Sequence, residues 1–467
     1  PDGRDVARLD SALQAALGTG HHVALTADLG PAERYRRWLA VRRGTVRAVV
    51  GTRAAAFAPV ANLGLVAVWD YGDNLHSEPR APYPHARAVV VLRAHRQGAA
   101  ALIGGLAQTA EGAALLAAGW ARPMAPSVAA VRARAPRVQP AGDELERARD
   151  PAAASARLPS LAWTAARESL AAGAPVLVQV PRRGYQPALA CGRCRAPARC
   201  ASCAGPLGRA LAAADALPAC RWCGRPAIGW SCPDCGATAL RATVVGARRT
   251  AEELGRSFPS TPVRTSGGDS VLATVAAGPA LVVATPGAEP LAEGGYGAVL
   301  LLDGWALLTR PDLRAGEETL RRWLAAAALA RPAGDGGRVV VMADGGLRPV
   351  QALLRWQPGW HADRELAERT LLGFPPAVRM ASVSGTRAAV GDLLAEIDLP
   401  PSAQVLGPVP TASNPRRAQE QQQRALVRVP RHHGGRLAAA LRAALAVRTA
   451  RKAVDSVRVQ LDPLDLL

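Results

Sequence analysis

Eight cysteines constrain this chain more than any other feature. All of them fall between residues 191 and 235 as four CxxC pairs: Cys191/Cys194, Cys200/Cys203, Cys220/Cys223 and Cys232/Cys235. A CxxC turn presents two thiolates on one side of a tight loop, and two such turns complete a tetrahedral zinc site. Four turns read as two closed, all-cysteine sites, hence two zinc ions per chain. The competing reading, a disulfide cluster, belongs to small domains in an oxidising compartment. This chain has 467 residues, and its first residues lack the apolar stretch of a secretory signal. No histidine lies inside the cluster, so mixed ligation is excluded there. A closed four-sulfur site keeps no position for a catalytic water, which makes the metal structural and puts the function elsewhere.

A chain of this length divides into about three domains. Apolar residues make up 49%, enough for real cores. No uncharged apolar run reaches the roughly 18 residues of a membrane span. The net charge of +20 points to a polyanionic partner, most simply nucleic acid. Lys452 is the only lysine among 57 basic residues, and it follows Ala450-Arg451 with no glycine loop nearby. A P-loop needs a lysine after its glycine-rich turn to reach the phosphates, so this sequence holds no Walker A motif. It opens on Pro1 rather than an initiator methionine, and the first residues read as mid-domain. A processed or truncated piece of a longer protein is the expectation.

Short apolar runs alternate with amphipathic stretches, the pattern of βαβ units and parallel sheets. Strands are expected at 22–28, 46–51, 63–69, 100–105, 175–180, 242–247, 280–285, 298–303 and 338–343. Helices are expected at 31–43, opened by Pro31, and at 159–172, 249–257 and 315–330. Residues 125–155, rich in Pro, Ala and Arg, read as a linker, and the cysteines interrupt the second sheet after its first strand. Beyond about residue 349 the pattern becomes α+β, with a helix at 434–447 and a last strand near 456–461. Two α/β lobes in series, a basic charge and a zinc insertion suggest a helicase-like core.

Particular motifs narrow this. The stretches TVRAVVGTRAAAFAPVANLGLVAVWDYGDN from residue 45 and PRAPYPHARAVVVLRA at 79–94 resemble the first motor lobe of the primosomal protein N′ (PriA) family of replication-restart helicases. PRRGYQPALACGRC at 181–194 is similar to that family's junction with its first cysteine, and the four CxxC pairs match its zinc region in number and spacing. ERTLLGFPPAVRMA at 368–381, LGPVP at 406–410 and VQLDPLDLL at 459–467 resemble its C-terminal part. The resemblance covers nearly the whole chain and implies an α/β fold: two RecA-like helicase lobes, a double-zinc insertion in the second, and a C-terminal α+β domain. The boundaries implied are 1–124 for an incomplete lobe 1 without its P-loop part, 125–155 for the linker and 156–188 for the start of lobe 2. The zinc insertion follows at 189–237, the rest of lobe 2 at 238–348 and the C-terminal domain at 349–467. Spacing alone permits sequential pairing of the cysteines. The family arrangement implies a nested one, Cys191, Cys194, Cys232 and Cys235 on one zinc with Cys200, Cys203, Cys220 and Cys223 on the other.

The catalytic motifs of the family are altered here. Its Walker B motif, DEEH, becomes Trp69-Asp70-Tyr71-Gly72. The first carboxylate of that motif holds magnesium and the second positions the attacking water; Trp69 and Tyr71 replace acids, and Asp70 is one place out of register. GSATPS becomes Gly104-Gly105-Leu106-Ala107-Gln108-Thr109, and GTQ becomes Ala284-Thr285-Pro286. The arginine-finger motif QxxGRxGR becomes AAAALARP at 325–332, with Ala325 for the glutamine, Leu329 and Pro332 for the arginines, and Arg331 out of register. The expectation is a pseudo-helicase without catalytic residues, kept for binding.

Other features remain open. Gly51-Thr52-Arg53 matches an intact family motif and is a candidate DNA contact, as is the basic turn at Arg182 and Arg183. Arginines with Trp222 and Trp230 in the zinc segment suit stacking on single strands, though both tryptophans equally suit small zinc cores. His85 is assigned packing or hydrogen bonding. No nucleophilic catalytic grouping is legible. The leading reading is a monomeric cytoplasmic, nucleoid-associated protein that binds forked or single-stranded DNA and scaffolds reloading of the replicative helicase with primosome proteins. The alternatives are an active ATP-dependent 3′-5′ helicase with atypical motifs and a zinc-dependent interaction module of the replication machinery.

Overall fold

The computed structural model describes residues 2–141, 158–181, 189–194, 196–208, 217–220, 223–242, 246–310, 312–411 and 422–466. They divide into two compact units, one of residues 1–107 with 367–466 and the other of 108–366.

The unit of 108–366 is built on a six-stranded parallel sheet. Its spatial order is Val263–Ser266, Leu281–Ala284, Val176–Gln179, Ala298–Leu301, Arg338–Val341 and Arg137–Pro140. The three strands at 176, 281 and 298 are buried along their whole length. That is why they read as apolar runs apart from Gln179, since helices cover both faces of such a sheet. Helix Ser160–Ala171 lays Ala162, Ala165, Ala166 and Ser169 against it. This face of small side chains allows close approach: a Cβ on Gly297 would lie 2.2 Å from the Ser169 Oγ.

Two expectations are corrected here. The strand expected at 242–247 forms at Leu240–Ala242, with a helix already under way from Ala247, and it pairs antiparallel with Leu189–Cys191 instead of joining the large sheet. The outer place in the sheet is taken by Val263–Ser266, whose Arg264, Thr265 and Ser266 suit an edge and hide it from a search for apolar runs. The segment read as a linker carries helix Val128–Arg134 and the other edge strand, Arg137–Pro140.

Helix Ala315–Ala327 brings charge into the interior. The Glu318 carboxylate accepts from both Arg321 (2.7 and 2.9 Å) and Arg322 (2.6 Å), three and four residues on. Nearby, Arg314 donates to Glu111 (2.8 Å), and the Ala110 amide donates to Glu317 (2.5 Å). Burial pushes the Glu318 carboxyl up, but the two guanidiniums outweigh it and hold the group below its ordinary value. The stabilisation is thus complete above the usual carboxylate range of about 4.3 and is lost as pH falls through the lowered native value. Glu318→Ala takes a carboxylate partner from the buried Arg321 and the partly buried Arg322, and a loss of about 3 kcal/mol is expected in denaturant unfolding at neutral pH. Equal stability of variant and parent would refute the role.

In the other unit, residues 1–107 form two separate parallel pairs, His22–Leu25 with Ala48–Gly51 and Leu65–Trp69 with Ala100–Gly104. Helix Pro31–Arg42 forms where expected, whereas helices Gly3–Leu17 and Ala86–Gln97 were not anticipated. Asp2 opens the first with a reciprocal cap through Asp5. Residues 367–466 form an antiparallel sheet in the order Gln404–Pro410, Gln422–Pro430, Val378–Thr386 and Arg458–Leu461, with helices Arg387–Glu396 and Gly434–Ala450. Burial alternates residue by residue along Gln422–Pro430, as in a sheet with one covered face. Among the described residues no helix is long and apolar enough to cross a membrane.

Candidate metal centres

The cysteines form two clusters. Cys191, Cys194, Cys232 and Cys235 make one, Cys200, Cys203, Cys220 and Cys223 the other, and within each the four sulfurs lie within 4.8 Å of one another. The closest approaches are 3.5 Å for Cys191–Cys235 and Cys194–Cys232, 3.8 Å for Cys200–Cys223 and 3.3 Å for Cys203–Cys220. A tetrahedron with zinc–sulfur bonds of about 2.3 Å has edges of roughly 3.8 Å, whereas a disulfide needs about 2.05 Å. All eight cysteines are free. The donor sets fit a closed four-thiolate metal site.

Local backbone shapes each turn. The chain reverses after the second cysteine of three pairs through positive φ at Ala204 (55°), Gly224 (72°) and Gly236 (71°). Amides then point at sulfur, from Arg193 to Cys191 and from Ser202 to Cys200, each at 3.4 Å. The amides of Cys194 and Arg193 draw the Cys191 thiol down to about 6, and those of Ser202 and Cys203 do the same for Cys200, also to about 6. Cys194 and Cys203 accept from the Ala196 and Gly205 amides, yet burial and the crowded sulfurs push both up to about 12. One negative charge is welcomed and the next repelled. A divalent cation would supply the counter-charge that four thiolates need to share one space.

Non-local pairing joins the turns. Strand Leu189–Cys191 runs antiparallel to Leu240–Ala242, returning the end of the segment to its beginning. Leu207–Gly208 pairs with Ala219–Cys220 inside it. Leu189, Ala198, Leu207 and Cys220 form a small buried core with Trp230 packed against it, and the Trp230 indole donates to the Arg199 carbonyl (3.0 Å). Trp230 therefore serves packing. Trp222, Arg182 and Arg183 lie outside the described residues.

The remaining candidates are placed as follows. Gly51 ends its strand so close to the neighbouring one that a Cβ would sit 2.4 Å from the Leu25 carbonyl oxygen, a packing reason for glycine. Thr52 precedes a short 3₁₀ helix without capping it. Arg53 donates to Glu78 (3.0 Å) and to the Leu75 carbonyl (3.3 Å), so its guanidinium is engaged within the protein. His85 caps helix Ala86–Gln97, its Nδ1 accepting from the Arg87 amide. In the Walker B slot Trp69 is 62% exposed, Asp70 has φ +51° and Tyr71 is buried beneath the Arg87 guanidinium. In the arginine-finger stretch Ala326 and Ala327 are buried, and Arg331 donates to the Gly294 carbonyl (2.9 Å). Sequence reasoning missed the Glu318 network, although a glutamate with arginines three and four residues later on a helix was a usable signal.

A parallel-sheet α/β protein with an inserted double four-cysteine module and a separate antiparallel α+β sheet is the class that these features define. The family described as "Primosomal protein N C-terminal domain" matches residues 370–464. The "Probable replication restart protein PriA" of Mycobacterium leprae is 55% identical over 472 residues, all of this chain and 72% of that protein. The protein of the same name in Mycobacterium tuberculosis (strain ATCC 25618 / H37Rv) is 54% identical over 479 residues, all of this chain and 73% of that one. The chain belongs to the replication restart protein PriA family. The "Replication restart protein PriA" of Treponema pallidum is 27% identical over 82% of this chain and 60% of its own length. A solved structure of RecG bound to a three-way DNA junction overlaps 80% of this chain and 39% of that chain at TM-score 0.36 and 11% identity, a likeness too slight to argue from.

Proposed function

We propose that this chain acts in replication restart as a DNA-binding assembly protein that turns over no ATP. Membership of the PriA family carries the reading. Its two α/β portions serve as RecA-like lobes, 1–124 and 156–348 apart from the insertion at 189–237, with 349–467 as the C-terminal domain. Each cysteine cluster holds one structural zinc. The metal ties the four turns together, and the protein's own residues do the rest: the amides lower the first thiols, and Trp230 with Leu189 and Leu207 closes the core. The ligand is forked or single-stranded DNA, and the partners are primosome proteins and the replicative helicase. The protein works as a cytoplasmic, nucleoid-associated monomer. The charge of +20 supports a polyanionic ligand, and the altered slots at Trp69–Gly72 and 325–332 support scaffolding over catalysis.

Binding to labelled forked DNA over a range of salt concentrations tests this. Neutralised phosphates release counterions, so affinity is expected to fall steeply, by about 0.9 in log K per decade of salt for each duplex phosphate contact. Absent or salt-insensitive binding would instead favour a zinc-dependent protein-interaction module.

A further inference from the structure

Arginine is abundant over the whole chain, so what separates a binding surface from composition is whether the guanidiniums are already paired. On helix Ala247–Ser257, Arg248 and Arg249 face Glu252 and Glu253 one turn on, each pair at 3.4 Å. Helix Pro31–Arg42 and the turn after it differ. Across 28–47 six arginines meet only two carboxylates, Asp28 and Glu33. Glu33 engages Arg36 and Arg37, both at 2.7 Å. Arg34, Arg42, Arg43 and Arg47 are exposed, and none makes an ion pair among the described residues.

Helix geometry groups these charges. At about 100° per residue, positions 35, 42 and 43 fall within one arc of about 100°, with position 38 about 40° and position 34 about 80° outside it. Trp38 packs inward against the Leu25 and Val41 core and anchors the helix. Arg34 and Arg42 stand about 12 Å apart along the axis, on either side of the inward Trp38. Tyr35 follows Arg34 directly and lies on the arc of Arg42 and Arg43, 64% exposed and without a hydrogen-bond partner among the described residues. Unpaired guanidiniums flanking an exposed aromatic ring are what single strands need: charge for phosphates and a flat surface for a base.

We propose that this face of helix Pro31–Arg42, with Arg43, is a single-stranded DNA site in which Arg34, Arg42 and Arg43 hold phosphates and Tyr35 stacks on a base. It rests on the DNA-binding reading above. It is separate from Gly51-Thr52-Arg53, where Arg53 already pairs with Glu78.

The test uses the full chain and a fluorescein-labelled oligothymidylate. Each single-strand phosphate contact contributes about 0.7 to the salt slope, so R34Q/R42Q/R43Q is expected to reduce that slope by about 2. Tyr35→Ala is expected to weaken binding about tenfold at an unchanged slope. R248Q/R249Q, on the paired helix, is expected to match the parent. All substituted side chains except Arg248 and Arg249 are unpaired and all are exposed, so the circular dichroism spectrum and two zinc ions per chain are expected in every variant. If the parent binds and the triple variant keeps its slope and affinity, this inference is overturned and the face is left to an acidic protein partner. If the parent itself fails to bind, the DNA-binding reading falls with it.

Discussion

The double variant C191S/C232S is expected to retain one zinc ion per chain, not none. Cys191 and Cys232 share a cluster, so both substitutions damage a single centre. With sequential pairing, 191/194/200/203 and 220/223/232/235, the same two changes would damage both centres and remove both ions. C191S/C200S is the complement: it touches each cluster once and is expected to leave no stoichiometric zinc. Apparent binding energies at structural zinc sites reach about 10–16 kcal/mol and are folding energies. The module has only a small core around Leu189, Ala198, Leu207 and Cys220, so a damaged centre should become sensitive to proteolysis near 191–235. Elemental analysis after dialysis reads the outcome directly. Two ions retained in C191S/C232S would sink the metal assignment, and none retained would sink the nested pairing.

Eight cysteines in four CxxC pairs were legible as candidate metal ligands because ligand spacing within a turn is local chemistry. The buried central strands were equally plain, since Val176–Gln179, Leu281–Ala284 and Ala298–Leu301 have no solvent face and carry only Gln179 as a polar residue. Val263–Ser266 escaped notice because an edge strand tolerates Arg264 and Ser266. Helix Ala86–Gln97 escaped because alanine and arginine blur its amphipathic stripe, whereas Gly3–Leu17 carried a usable signal in its Asp2–Asp5 cap. In the site, the motif at Gly51-Thr52-Arg53 looked like a DNA contact, yet its glycine answers to the Leu25 carbonyl and its arginine to Glu78.

ATP hydrolysis by the intact protein is expected to stay at background when forked DNA is added. An arginine finger alone contributes about 10³–10⁵ in rate, and the stretch that would carry it holds Leu329 and Pro332. Arg331 is one place out of register, and its Nε donates to the Gly294 carbonyl on the chain that leads into strand Ala298–Leu301. In the Walker B slot an exposed Trp69 and a buried Tyr71 stand where acids would hold magnesium and water. A phosphate-binding loop supplied by residues outside this sequence would therefore still lack its catalytic partners. Release of inorganic phosphate is the measurement. Clear DNA-stimulated turnover would show that the chain is an active motor with atypical motifs.

From the order of residues alone follow the metal-binding turns, the parallel α/β character, the family resemblance and the altered catalytic slots. All of these rest on contacts within a few positions or on motif identity. Which turns share a cluster is decided by the ladder that brings Leu240 opposite Cys191, nearly fifty residues away. Which arginines are free is decided the same way: Arg53 finds Glu78 across 25 residues, while Arg34 and Arg42 find no carboxylate at all among the described residues. A charge or a thiolate takes its role from what the fold sets beside it, because both depend on neighbours within a few ångströms and not on neighbours in sequence.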